Sequence, residues 1–159
     1  MKQRTLALCL KGVVTGTAIC GLIVYPFILP ACADAVAGAY PEAAAAKYPW
    51  LIFLWLTAIP CYAVLAFSWR IADSIGQDRS FTRSNARRLK WIARLAAGDS
   101  AFFLLGSLIL LAAGLSHPAL TALTLLIAFI GAAFTVAAAA LAHLVGKAAA
   151  LQEESDLTI

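Results

Sequence analysis

Charged side chains are scarce in this sequence of 159 residues: Asp, Glu, Lys and Arg together supply 13% of it, whereas hydrophobic residues supply 63%. A soluble domain usually contains about 25% charged residues, and half that share leaves too little polar surface to cover a water-soluble globule. The scarcity therefore excludes a soluble enzyme, a disordered protein and a secreted disulfide scaffold. It indicates an integral membrane protein with room for about four helical spans.

Catalytic and metal-binding sequence patterns are also missing. The chain has no HExxH sequence, no glycine-rich phosphate loop, no GxSxG sequence and no paired carboxylates at a workable spacing. Its four cysteines form no CxxC pair, and cysteine in an apolar run behaves as a small hydrophobe. We therefore expect a protein that is not an enzyme, with no catalytic residue, no metal site and no cofactor.

Long uncharged runs are what the sequence has instead. Residues 12–33 and 48–69 contain no charge, and neither do residues 100–146, which a short polar turn at 116–118 interrupts. About 20 helical residues cross the ~30 Å hydrocarbon core, so the longest run must form two helices. We predict one all-α membrane domain over residues 1–159, a four-helix transmembrane bundle. Its predicted spans lie near residues 9–30, 49–69, 95–115 and 119–146.

Lysine and arginine are divided unequally between the two sides of these spans. Eleven of the twelve lie in the N-terminal segment, in the loop of residues 70–94 or directly after the fourth span, and Lys47 alone lies on the other side. Because cytoplasmic loops carry the excess of positive charge, we expect the loop, both termini and the tail of residues 147–159 to be cytoplasmic. The expected location is a bacterial inner membrane that the chain crosses several times.

Two residues stand out within the spans. Pro60 in the second span lacks a backbone N–H and should kink that helix. Asp99 in the third span is the carboxylate expected to lie within the membrane, where a charge costs about 2.5–3.5 kcal/mol at the centre. Helical register leaves Asp99 about 12 Å from the level of His143, too far for contact. We interpret Asp99 as a residue of the inner interface bonded to Ser100, a cation or water.

Small residues form one face of each of two spans. Gly12, Gly16 and Cys20 follow one another at four-residue spacing in the first span, and Ala128, Gly131, Ala138 and Ala142 belong to a similar face in the fourth. Such faces allow close approach of helices in lipid, either within one chain or between the protomers of a homo-oligomer.

The loop of residues 70–94 combines a strong positive charge with helical spacing. Ser80 or Thr82 is placed to cap a helix that runs into the third span as an amphipathic extension at the inner leaflet. Four of its basic residues recur at 4-3-4 spacing and form one stripe, and a fifth is Arg88. The stripe consists of Arg83, Arg87, Lys90 and Arg94.

The end of the chain is acidic, with Glu153, Glu154 and Asp156 on the same expected side as the basic loop. We expect these basic and acidic residues to bind anionic lipid of the inner leaflet or a protein partner, and the tail to be able to fold back onto the loop. Direct nucleic-acid binding is not expected, because no DNA-reading motif accompanies the basic stripe.

Several stretches resemble an uncharacterised bacterial membrane-protein family, the domain of unknown function numbered 2975. They are Tyr48-Pro49, Leu56–Pro60, Ser80–Thr82 with Leu89-Lys90, and the ending Glu154–Ile159. The resemblance covers the chain from about residue 6 onward and implies a four-helix inner-membrane protein. It further implies a gene often found beside that of a small helix-turn-helix regulator, which becomes a candidate partner. It assigns no catalytic residue.

These features predict a small inner-membrane protein that acts as an interaction or regulatory module through its basic loop and acidic tail. The alternative is a small oligomeric, proton-coupled carrier or channel that uses Asp99. Against that alternative, the other polar residues of the spans are scattered along the sequence, whereas a transport path needs them to converge.

Overall fold

A computed structural model describes residues 3–157, with side chains described as far as Ser155. Within those residues the chain is almost wholly helical and contains no strand. Four helical segments are long and apolar enough to cross a membrane: Gln3–Ala39, Pro41–Gly76, Arg83–Ala112 and Pro118–Ser155. The predicted all-α architecture with four membrane-length helices is therefore confirmed.

A π-helical turn divides the first segment. Helix α1 (Gln3–Ile23) is followed by the π turn Val24–Ile28 and by helix α2 (Leu29–Ala39). In the π turn the Leu29 N–H donates to the carbonyl of Val24, five residues back. The same register would match the carbonyl of Tyr25 with Pro30, whose nitrogen carries no hydrogen. The indole N–H of Trp55 donates to the Tyr25 carbonyl instead, at 2.9 Å.

The second segment begins with the 3₁₀ turn Pro41–Ala46 and continues as helix α3 (Lys47–Gly76). Pro60 lies inside α3, which continues through it, so the kink predicted there stays a prediction. The helix also runs seven residues past the end of the predicted span, because Arg70–Gly76 packs on the other helices. Trp50 at its start donates its indole N–H to the carbonyl of Leu115 at 2.8 Å.

Helix α4 (Arg83–Ala112) contains both the basic stripe and the third span without a break. Of the two predicted caps, Thr82 is the one used: its backbone is extended and its hydroxyl accepts the N–H of Asn85 at 3.3 Å. The helical extension of the third span is therefore confirmed. Gly114, at φ 71°, turns the chain after α4 in the left-handed conformation that glycine tolerates best.

Helix α5 (Pro118–Leu157) has 40 residues and begins at the predicted proline. At 1.5 Å per residue it is about 60 Å long, twice the thickness of the hydrocarbon core. The acidic tail is therefore a continuation of this helix as far as Leu157, and not a separate segment that folds back.

The helices pack in the order in which they occur along the chain. Within residues 3–157 the close backbone contacts between long helices are α1 with α3, α3 with α4, and α4 with α5, while the backbones of α1 and α5 do not approach each other. The most buried apolar cluster joins α4 to α5 and is supported by three side chains of α3. It consists of Ala86, Leu89, Ile92, Ala93, Ala138, Ala142 and Val145.

The two predicted small-residue faces have different outcomes. On α5, Ala128, Ala138 and Ala142 are buried and Gly131 lies directly against the side chain of Ser100, so this face does pack closely. On α1, no atom lies near the Cβ position of Gly12 or Gly16, so that face is not used in packing within the described chain. Large apolar side chains cover the outer surface, as expected for contact with lipid.

Candidate functional site

The turn between α3 and α4 is held by a buried asparagine. Asn85 is 1% exposed, and its amide Nδ2 donates to the carbonyls of Arg79 and Ser80, both at 3.1 Å. Its Oδ1 accepts from Arg88 Nη1 at 2.9 Å. All the polar atoms of this side chain thus have partners, which is what stabilises a buried amide.

Arg88 differs from the other basic residues of α4 because it turns inward. Its Nη1 lies within hydrogen-bond distance of the Arg70 carbonyl and the Ser74 hydroxyl, both at 3.1 Å, as well as of Asn85. Arg88 therefore joins the end of α3 to the start of α4. We predicted that it contacts a partner or lipid, but its guanidinium is already engaged within the chain.

The basic stripe is exposed along its whole length. Arg83, Arg87, Lys90 and Arg94 are all exposed, while Ala86, Leu89 and Ala93 of the same helix are buried. Near the span, the Arg94 guanidinium lies 5.3 Å from the centre of the Trp91 ring, a cation–π contact. The helix thus presents four cations on one side, in the arrangement that the spacing predicted.

The acidic tail meets this stripe at its far end. Glu153 Oε2 lies 2.6 Å from Arg83 Nη2, and both side chains are largely exposed. Beside the pair is a cavity of about 350 Å³ between the α3–α4 turn, α5 and Gln3. Among the described residues, a surface ion pair thus links the tail to the basic stripe. The side chain of Asp156 lies outside the described residues.

A second cavity surrounds Asp99, and we call it the Asp99 cavity. Its volume is about 310 Å³, and it is bounded by side chains from all four membrane-length segments. The π turn contributes Tyr25, α3 contributes Thr57 and Cys61, and α4 contributes Asp99 and Ser100. The remaining walls are apolar and consist of Val24, Leu29, Leu54, Phe103, Ile127, Ala128 and Gly131.

Asp99 is poorly supplied with hydrogen-bond donors in this cavity. Its Oδ2 accepts from the Cys61 thiol at 3.8 Å, a long contact to a weak donor. Its Oδ1 is shielded from solvent and has no hydrogen-bond partner among the described residues. Of the three partners expected for Asp99, which were Ser100, a cation or water, Ser100 does not donate to it here, because the Ser100 hydroxyl lies against Gly131 of α5.

Tyr25 and Thr57 form the second polar pair of the cavity, with their hydroxyl oxygens 3.4 Å apart. Thr57 donates its one hydrogen to the carbonyl of Leu54 at 2.7 Å, so in this pair the Tyr25 hydroxyl is the donor. This assignment leaves the proton of Tyr25 directed toward Thr57 and not toward the carboxylate. Among the described side chains, the hydrogen-bond donor to Asp99 is therefore the Cys61 thiol.

Of the span residues interpreted as scattered polar groups, Thr57 lines this cavity, and Tyr25 and Cys61 join it there beside Asp99. Tyr25, Thr57, Cys61 and Asp99 come from three segments far apart in sequence and meet around one cavity. Thr57 and Cys61 are four residues apart and so share a helix face, which is a signal that the sequence contained. The π turn that brings Tyr25 to them had no such signal.

Comparison with known proteins identifies the family. A family described as "Protein of unknown function (DUF2975)" matches residues 31–159. The "Uncharacterized membrane protein YoaS" of Bacillus subtilis (strain 168) is 30% identical in an alignment of 160 positions that covers 99% of each chain. No solved structure matches the chain. The chain therefore belongs to the DUF2975 family of membrane proteins of unknown function.

Proposed function

We propose that this protein is a membrane-anchored docking module and that its basic stripe binds an acidic surface of a cytoplasmic protein. The observation that carries the proposal is the continuity of α4: the exposed stripe and the apolar span share one unbroken helix axis. The stripe therefore points along the direction in which the helix leaves the membrane.

Distance from the membrane favours a protein over lipid at the far end of the stripe, at Arg83. Tryptophan concentrates at membrane interfaces, so Trp69 and Trp91 are the natural markers of that level. Arg83 precedes Arg94 by eleven residues, about 16 Å along the helix axis. Lipid charge is screened over about 8 Å at physiological ionic strength. Counted from Trp91, Arg87 lies about 6 Å away and within reach of the headgroups, as do Lys90 and Arg94, whereas Arg83 lies about 12 Å away and beyond it.

A stripe that lay flat on the membrane would need a bend where α4 enters the span. Membrane helices tilt by about 20° on average, which leaves most of that separation in place. A helix-turn-helix regulator, the partner implied by the family resemblance, fits this geometry if one of its faces is acidic. The stripe would then bind protein and not DNA.

Site-specific photocrosslinking in cells tests the proposal. A benzophenone side chain at the exposed Ser84 lies beside the stripe and leaves its four cations intact. We expect a crosslink to a soluble protein that is lost in the double variant Arg87→Glu/Lys90→Glu and retained in Arg70→Glu/Lys147→Glu, which changes the net charge equally. Lipid adducts alone, or equal loss in both variants, would contradict the proposal.

The alternative function, a proton-coupled carrier or channel, draws support from the convergence of Tyr25, Thr57 and Cys61 on Asp99. A carboxylate within membrane helices is a common feature of proton pathways. Its test is proton-linked flux in liposomes, compared between the unaltered chain and Asp99→Asn. Flux that is absent, or that Asp99→Asn leaves unchanged, removes this alternative.

A further inference from the structure

We propose that the Asp99 cavity is a binding site for a small lipophilic cation, an amine or a quaternary ammonium with a compact apolar body. The inference is independent of docking at the basic stripe. It also concerns binding alone, so a ligand that binds without being transported would satisfy it.

The charge balance of the cavity is the first argument. Asp99 is the acidic residue of the lining, and no Lys, Arg or His belongs to that lining as far as the structure describes it. One carboxylate oxygen has the weak Cys61 thiol as donor and the other has no partner. A carboxylate in such surroundings is costly unless it is neutralised or paired, and a bound cation pairs it.

The size and walls of the cavity define the rest of the ligand. A volume of about 310 Å³ lies at the lower end of the range for small-molecule sites. Leu29, Leu54 and Ile127 provide an apolar wall for a hydrocarbon body. The rings of Tyr25 and Phe103 also line the cavity, and aromatic faces attract quaternary ammonium groups.

A hydrated metal ion fits this site poorly. Hard cations such as Ca²⁺ take six to eight oxygen ligands, and the cavity offers one carboxylate and three hydroxyl groups among mostly apolar walls. The described residues also contain no group of three or more His, Cys, Asp or Glu side chains placed to hold a metal ion. An organic cation matches both the single charge and the apolar walls.

Access to the cavity is available from the side of the molecule. Its lining includes residues of the π turn and of α5, two elements whose backbones do not approach each other. Cys61 and Ile127, both in the lining, are exposed at the surface of the protein. A lipophilic cation dissolved in the bilayer can therefore enter laterally, without passing through an aqueous pore.

Calorimetric titration of the purified full chain in lipid nanodiscs with benzyltrimethylammonium tests this inference. This probe carries one permanent positive charge and a single aromatic ring. We expect Asp99→Asn to weaken its binding by about tenfold or more, since a charge-assisted contact is lost. The matched control Asp73→Asn, which removes a carboxylate that pairs with Lys11 outside the cavity, should change affinity less than twofold.

The rate of Cys61 alkylation provides a second measurement of probe binding, independent of the calorimetric affinity. In a full chain with Cys9, Cys20 and Cys32 replaced by Ala, the probe should slow modification of Cys61 by a maleimide. The same probe should give no protection once Asp99→Asn is added. The proposal would be overturned if the probe protected Cys61 equally in both proteins. It would also be overturned if the probe gave no protection in the chain that retains Asp99, although Cys61 still reacts there.

Discussion

At the scale of single residues, the buried Asn85 shows how one polar side chain fixes a turn. Its amide donates to the carbonyls of Arg79 and Ser80 and accepts from Arg88, so the turn and the start of α4 both depend on it. Removal of a buried hydrogen-bonding group leaves its former partners without a substitute. Removing Asn85 should therefore destabilise the protein more than replacing any one exposed residue of the basic stripe.

We predict that Asn85→Ala lowers the free energy of unfolding by about 1–3 kcal/mol, because two backbone carbonyls and one guanidinium lose a buried partner. Thermal unfolding in detergent, followed by tryptophan fluorescence, measures the change. Ser84→Ala, at the exposed neighbouring position, should be close to neutral. Equal stability of the two variants would show that the turn does not need the amide.

Two glycines provide a second contrast at this scale. A Cβ added at Gly106 would overlap the ring of Phe53, which is itself 7% exposed and stacked on Phe103 at 5.4 Å. We predict that Gly106→Ala destabilises the protein by about 1–3 kcal/mol through overpacking. Gly16→Ala, where nothing lies nearby, should be neutral or stabilise by about 0.5–1 kcal/mol through helix propensity. Thermal unfolding of both variants measures these changes, and an increase in stability for Gly106→Ala would contradict the packing described.

At the scale of elements, the π turn is a local change of register in which the Tyr25 carbonyl takes its donor from the neighbouring helix. Pro30 cannot donate to the Tyr25 carbonyl, and the indole of Trp55 replaces the missing hydrogen bond from the neighbouring helix. The turn thereby ties α3 to the first segment at the level of the Asp99 cavity. Single π turns are often found at functional sites.

A double-mutant cycle tests whether the Trp55 indole takes the place of the backbone N–H that Pro30 lacks. Trp55→Phe removes the indole N–H and should destabilise the chain by about 1 kcal/mol. In the Pro30→Ala background the restored backbone N–H is available to the Tyr25 carbonyl, so Trp55→Phe should cost less there. Additive effects of the two changes would indicate that the indole bond and the proline are unrelated. Chemical unfolding monitored by circular dichroism provides the comparison.

The sequence predicts the elements better than their mutual arrangement. Uncharged runs and the polar turn at 116–118 identify the four helices, because membrane thickness dictates their length. The N-cap Thr82 can be predicted from the sequence, since a hydroxyl residue precedes an amphipathic helical repeat. The position of Tyr25 beside Thr57 depends instead on the π turn and on the relative depth of two helices, which no local pattern encodes. The Asp99 cavity was therefore missed, while the basic stripe was found.

At the scale of the whole molecule, the distribution of charge predicts the orientation in the membrane, and this prediction is open to a direct test. In a chain without native cysteines, we predict that a cysteine replacing Gln77 reacts with an impermeant maleimide only after the inner membrane is permeabilised. A cysteine replacing Glu42 should react in intact spheroplasts. Both positions are exposed, so accessibility within the protein does not bias the comparison. The opposite pattern of labelling would reverse the expected orientation.

The order in which the helices pack has a consequence for biosynthesis. Because each close pair of long helices is formed by consecutive spans, every helix that leaves the ribosome finds its neighbour already in the bilayer. Within residues 3–157 no early helix has to wait for the last one, as it would in a ring closed between α1 and α5. Proteins dominated by contacts near in sequence fold quickly, and domains can form during synthesis at about 5–20 residues per second. Assembly of this protein can thus keep pace with translation, span by span.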